Sequence, residues 1–143
     1  MRKALQEAEV AYEKGEVPVG AVIVVQDRVI ARAHNLTEQL RDVTAHAEMQ
    51  AITAAAHFLG GKYLNNCTLY VTLEPCPMCA GAIIHARVDR VVFGAADPKG
   101  GAAGSVFDLL PSDQRFNHRV EVEGGVLARE CSERLRAFFI SRR

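Results

Sequence analysis

The stretch from Thr68 to Phe93 constrains the fold more than any other. Thr68-Leu-Tyr-Val-Thr-Leu73 reads as a buried strand, Pro77 to Arg87 as a helix, and Arg90-Val-Val-Phe93 as a second strand. Two buried strands joined by a helical crossover lie parallel, and parallel strands need helices over both faces of their sheet. A layered α/β domain follows.

The flanking segments fill in that plan. Val19 to Val25 and Arg28 to Ala33 are β-rich runs split by the polar pair Gln26-Asp27, which predicts a hairpin. Arg119-Val-Glu-Val-Glu123 alternates strictly, as an edge strand does. From Arg2 to Lys14, the residues Ala4, Leu5, Ala8, Ala11 and Tyr12 share one helical face, and Gly15 is the stop. A second helix is expected after Thr44 as N-cap, with Ala45, Met49, Ile52, Ala56 and Leu59 inward and Gly60-Gly61 at its end. The last helix carries Leu127, Cys131, Leu135 and Phe138 on one face. Asn35 to Val43 reads as a polar loop. Asp97 to Gly104 is a small-residue loop that matches neither a P-loop nor a dinucleotide fingerprint. The expected architecture is a three-layer α/β/α domain over residues 1–143, with a central mixed sheet of about five strands.

Composition narrows the function classes. Of 143 residues, 49% are apolar and 24% charged, so the chain can build a core and is not a disordered segment. The longest apolar run, Val17 to Val25, spans nine residues and includes Pro18 and Gly20, whereas a membrane span needs about twenty. Lys plus Arg and Asp plus Glu each number 17, so a polyanionic partner would have to meet a local patch. The visible skew is C-terminal, where Arg129 to Arg143 holds five arginines and two acids. Gln6, Glu7 and Glu9 stand where a secretory leader would be apolar, so a cytoplasmic protein is expected. Four cysteines in a reducing compartment point to metal or packing and not to disulfides.

The chemistry concentrates at two helix starts. His46-Ala47-Glu48 opens one helix, and Pro75-Cys76-Pro77-Met78-Cys79 opens the next. Cysteines three apart at a helix start lie near one face, where free N–H groups and the dipole lower thiol pKa. Two thiolates and an imidazole suit tetrahedral zinc, and three protein ligands leave a position for water, the mark of a catalytic site. Glu48 is a poor co-ligand in a regular helix, since it stands about 200° around the axis from His46. It reaches a zinc-bound water only if the helix starts irregularly. The order is not His-Glu-x-x-His, so a metalloprotease is disfavoured. The competing reading is a structural site closed by Cys67, His57 or His85. Cys67 and Cys131 are expected to be small buried hydrophobes and His57 a surface residue.

These residues form a known signature, His-x-Glu with Pro-Cys-x-x-Cys, for which tRNA adenosine deaminases are a standard example. With Gly15 to Ala21, Ala33-His-Asn35, Thr44 to Glu48, Tyr70 to Ala82, Gly101 to Ser105 and Asn117-His118, the chain resembles the zinc-dependent cytidine/deoxycytidylate deaminase superfamily. Within it, the resemblance is to the bacterial tRNA adenosine deaminases, over nearly the whole length. The resemblance implies one Zn2+ per chain on His46, Cys76 and Cys79, with Glu48 as proton shuttle. The implied reaction is hydrolysis of adenosine to inosine at the wobble position of a tRNA anticodon, with zinc-activated water attacking C6. Substrate contacts are implied for Asn35, Ala47, Leu73, Val17, Asp97 and Asn117. The implied partner is a tRNA anticodon stem-loop, met by Lys99 and the C-terminal arginines. A homodimer is implied, with Met78, Ile83 and Ile84 as interface candidates. Val43 stands where the family usually has proline. Other readings are a free-base or nucleoside deaminase acting on guanine or cytosine, an engineered single-stranded DNA adenine deaminase, and a noncatalytic zinc-stabilised RNA-binding module.

Overall fold

The structure, a computed structural model, describes residues 1–110 and 115–143. Among these residues, ten elements run in the order α1 (Arg2–Glu13), β1 (Gly20–Val25), β2 (Arg28–His34), α2 (Thr37–Leu40), α3 (Ala47–Leu59), β3 (Thr68–Leu73), α4 (Pro77–His85), β4 (Arg90–Ala95), β5 (Glu121–Glu123) and α5 (Ala128–Ser141). The sheet order is β2-β1-β3-β4-β5. β1 pairs antiparallel with β2 and β3, while β3, β4 and β5 run parallel, so the sheet is mixed as expected. α1 and α5 cover one face, and α3 and α4 the other. The three-layer α/β/α reading holds. No helix of the described residues is long and apolar enough to cross a membrane.

Local chemistry explains these elements. Gln26 and Asp27 both adopt positive φ (50° and 62°), the geometry of a type I′ turn whose twist matches the flanking strands. Ala4, Ala8 and Ala11 are fully buried, and they lay α1 directly on β1. At Gly20 an added Cβ would run into the Ala4 carbonyl and the Ala8 amide, both backbone. Gly20→Ala must therefore push α1 off the sheet, and a loss of about 1–3 kcal/mol is expected, read as a lower urea midpoint at unchanged slope. Gly94 plays the matching part opposite α5, where a Cβ would meet the Cys131 sulfur.

Several sequence expectations are corrected. α3 begins later than expected: its N-cap is His46, while Thr44 donates to Asp42 Oδ1 through its amide (2.8 Å) and its hydroxyl (2.7 Å). The buried stripe of α3 is Ala47, Ala51 and Ala55, with Met49 and Ile52 at its flank and Leu59 exposed. Small side chains win the sheet-facing positions because they allow close approach. The loop Asn35 to Val43 contains the short helix α2. Ile83 and Ile84 are buried within the single chain as part of its core cluster, Ile84 also lining a surface groove, and Met78 is half-buried. Cys67 and Cys131 are buried free thiols, and burial pushes Cys131 up to about 11. His57 is exposed.

Candidate active site

The two helix starts converge. His46 is extended (φ −71°, ψ 155°) at the N-cap of α3, and Cys76 is extended (φ −77°, ψ 172°) at the N-cap of α4. Cys79 lies in the first turn of α4 and is completely buried. His46 Nδ1 stands 3.7 Å from Cys76 Sγ and 3.5 Å from Cys79 Sγ. All three donor atoms lie within 4.8 Å of one another. Zn–S of about 2.3 Å and Zn–N of about 2.05 Å at a tetrahedral angle put sulfur and nitrogen roughly 3.6 Å apart. The trio has the spacing of a metal site. Cys67, His57 and His85 are not among these donors, so nothing closes a fourth position from the described protein groups.

Electrostatics agree with that use. Hydrogen bonding from the Cys79 thiol, and then from His46, brings Cys76 down to about 4. The same sharing of one proton pushes Cys79 upward, and the bond to Cys76 raises His46. Without a cation the pair cannot carry two negative charges; a divalent ion removes that conflict.

Glu48 follows from the irregular helix start. Because His46 sits outside the first turn in extended backbone, the two side chains escape the 200° separation of a regular helix. Both line one cavity of about 250 Å³, with Val17, Val19, Asn35, Thr37, Leu73, Glu74, Cys76 and Asp97. Glu48 is 4% exposed, and burial pushes its carboxyl up to about 7. A carboxyl tuned to neutral pH in a cleft fits proton transfer.

The expected substrate residues divide. Asn35, Val17, Leu73 and Asp97 line the cavity. Ala47 does not: it is fully buried, and its N–H donates to Asn35 Oδ1 at 2.8 Å. Asn117 lies in a separate groove of about 270 Å³ with Tyr63, His85, Arg87 and Phe116. Of the C-terminal arginines, Arg129 pairs with Glu133 and Arg134 with Glu9. Arg142 stacks over the Phe138 ring and donates to the Gly15 carbonyl.

Two buried acids act as anchors that the sequence reading did not foresee, although the resemblance placed the Leu73–Glu74 region beside the base. Glu16 is fully buried and accepts the amides of Glu38 (3.0 Å) and Gln39 (2.8 Å), fastening α2 and hence Thr37 to the cavity rim. Glu74 holds the loop that carries Asp97. The signal was available: each is an acid abutting an apolar run, Val17-Pro-Val19 before β1 or Tyr70 to Leu73 in β3.

Comparison with known proteins decides the family. A family model described as MafB19-like deaminase matches residues 1–143. A tRNA-specific adenosine deaminase of Bacillus subtilis is 56% identical over 139 residues, covering 97% of this chain and 86% of the relative. One from Aquifex aeolicus is 51% identical, covering 97% and 91%. The chain belongs to the tRNA-specific adenosine deaminase family. A solved structure, from a study of A-to-I editing by tRNA:A34 deaminases at the wobble position of transfer RNA, superposes with a TM-score of 0.91 at 49% identity. It covers 94% of this deaminase and 97% of its own chain.

Proposed function

We propose that this deaminase converts adenosine to inosine at the wobble position of a tRNA anticodon, with His46, Cys76 and Cys79 holding one zinc ion and Glu48 moving protons. The observation that carries this reading is a buried carboxyl at about 7, set in a base-sized cavity beside three donors at zinc spacing. Bound there, zinc supplies a Lewis acid that brings the pKa of a water to about 7. Glu48 accepts one proton from the attacking water and delivers it to N1 of adenine. It then takes the second from the hydroxyl now on C6 and passes it to the departing amine, so that ammonia leaves as the C6 carbonyl forms. Asn35, whose Oδ1 is committed to Ala47 N–H, turns its amide N–H donors to an acceptor on the purine edge. Val17 and Leu73 offer apolar surface to the base faces.

Size favours a single extruded base. The cavity is below the roughly 300 Å³ at which drug-sized sites begin. Anticodon-loop bases are already unstacked, so extrusion costs less than from a duplex. A noncatalytic zinc module would have no use for Glu48, whose burial carries a desolvation cost without benefit to the fold. The same reading makes the protein a cytoplasmic homodimer, with Met78 on its interface. Lys99 and the C-terminal arginines that are not held in ion pairs meet the phosphates.

The test is inosine formation by the zinc-loaded protein. An anticodon stem-loop with adenosine at the wobble position is expected to be converted, while free adenosine, guanine and cytosine are not. Comparable turnover of any free base or nucleoside, or of an all-deoxy stem-loop, would overturn the assignment.

A further inference from the structure

Glu74 directly follows β3, immediately before the Pro75-Cys76 turn, and is 2% exposed. Its Oε1 accepts the amide of Asp97 at 3.0 Å and the Ser105 hydroxyl. Its Oε2 accepts the amides of Ala103 (2.9 Å) and Ser105 (3.1 Å). A carboxylate has about four acceptor positions, and here four donors fill them. No lone pair is left over for proton transfer, so Glu74 is unsuited to act on substrate although it lines the cavity.

What it holds is one side of a small-residue loop whose other ties are backbone bonds such as Gly101 N–H to the Asp97 carbonyl (2.9 Å) and Ala102 N–H to the Pro75 carbonyl (2.7 Å). Gly100, Gly101, Ala102, Ala103 and Gly104 bring little apolar surface; Ala102 belongs to the core cluster and Ala103 packs against it. The loop's free N–H groups at Asp97, Ala103 and Ser105 wrap the carboxylate as a nest. Gly101 shows how tight the wrap is: a Cβ there would collide with the Glu74 carboxyl. Asp97 Oδ1 in turn accepts the Lys99 amide at 3.0 Å and the Gly100 amide at 3.3 Å, which closes the start of the loop. The wall of the cavity that includes Asp97 is thus tied to a second, fully occupied acid that lines the same cavity.

We propose that Glu74 is a positioning residue that holds the Asp97 to Ser105 loop as a fixed cavity wall, and so sets how firmly the polynucleotide around the reacting base is gripped while leaving the chemical step alone. This rests on the reading of the cavity as the site of an RNA base. Hydrogen bonds to a charged group are stronger than those between neutral partners, so losing one is felt directly in how firmly the loop is held. Glu74→Gln keeps the shape but has one acceptor oxygen, and it sets an NH2 group against N–H donors.

In the zinc-loaded Glu74→Gln protein, KM for an anticodon stem-loop is expected to rise by about tenfold or more. kcat should stay within about threefold and zinc at one per chain. Hydrogen exchange at the amides of Asp97, Ala103 and Ser105 should accelerate by about tenfold or more, with the amides of β3 and α4 unchanged. Ser105→Ala, which removes the hydroxyl contact at a distance from the metal ligands, should shift KM and exchange in the same direction by less. It serves as the test should the Gln variant fail to fold. A fall in kcat at constant KM, loss of zinc, or unchanged exchange at the three amides would each overturn the proposal. The exchange measurement needs no turnover. If the wild type fails to deaminate the stem-loop, the functional reading falls while exchange still decides whether Glu74 holds the loop.

Discussion

Glu48→Gln is expected to keep one zinc per chain and its affinity for an anticodon stem-loop while turnover drops by about 10²–10⁴-fold, the loss typical of one general acid–base group. The carboxyl is buried on the cavity wall and raised to about 7, so it exchanges protons near neutral pH without a large driving-force penalty. Glutamine preserves its volume and hydrogen bonding and abolishes the exchange. Glu48→Ala should give the same loss with metal retained, because the donor trio is complete without it. Turnover of the Gln variant within about threefold of wild type would dismiss the proton-carrying role. Loss of zinc from the Ala variant would make Glu48 a ligand.

The second large effect is at Cys79. Cys79→Ala is expected to bring zinc from one per chain to none and to abolish detectable deamination. Two donors cannot hold the ion against water and other cations, and Cys79 lies behind the cavity, where no exposed group can substitute. Wild-type stability should rise with free zinc, by about 4 kcal/mol at a thousandfold excess over Kd. The variant's melting temperature should not respond. Stoichiometric zinc in Cys79→Ala would break the ligand assignment.

The donor trio was legible in sequence because short spacing at a helix start dictates geometry: Cys76 at the N-cap and Cys79 in the first turn must face the same way. The order of layers was legible as well, since the parallel crossover and the hairpin leave few alternatives. The register of α3 was not. Met49, Ile52 and Ala56 offer a face of good helical period, but the alanines beside them pack closer to the sheet, and packing overrides hydropathy. Nor was the cap legible, because Thr44 is a better intrinsic N-cap than His46 yet bonds to Asp42 instead. The anchoring roles of Glu16 and Glu74 were legible only as buried acids beside apolar runs, because their partners, mostly backbone amides with one hydroxyl each, lie more than twenty residues away in sequence.

The bond from Ala47 N–H to Asn35 Oδ1 bears on how such a site can be altered. One side chain at the end of β2 serves as the proposed reader of the purine edge and as the partner of the first free amide of α3, next to His46. Changing that reader to suit another base also loosens the turn that aims a metal ligand. Val17 and Leu73 carry no such second duty, since they give the cavity apolar surface and hold no helix start. A shift of base preference that preserves turnover is therefore most accessible through those two positions, and drift at Asn35 is tolerated only where the amide of Ala47 finds another acceptor.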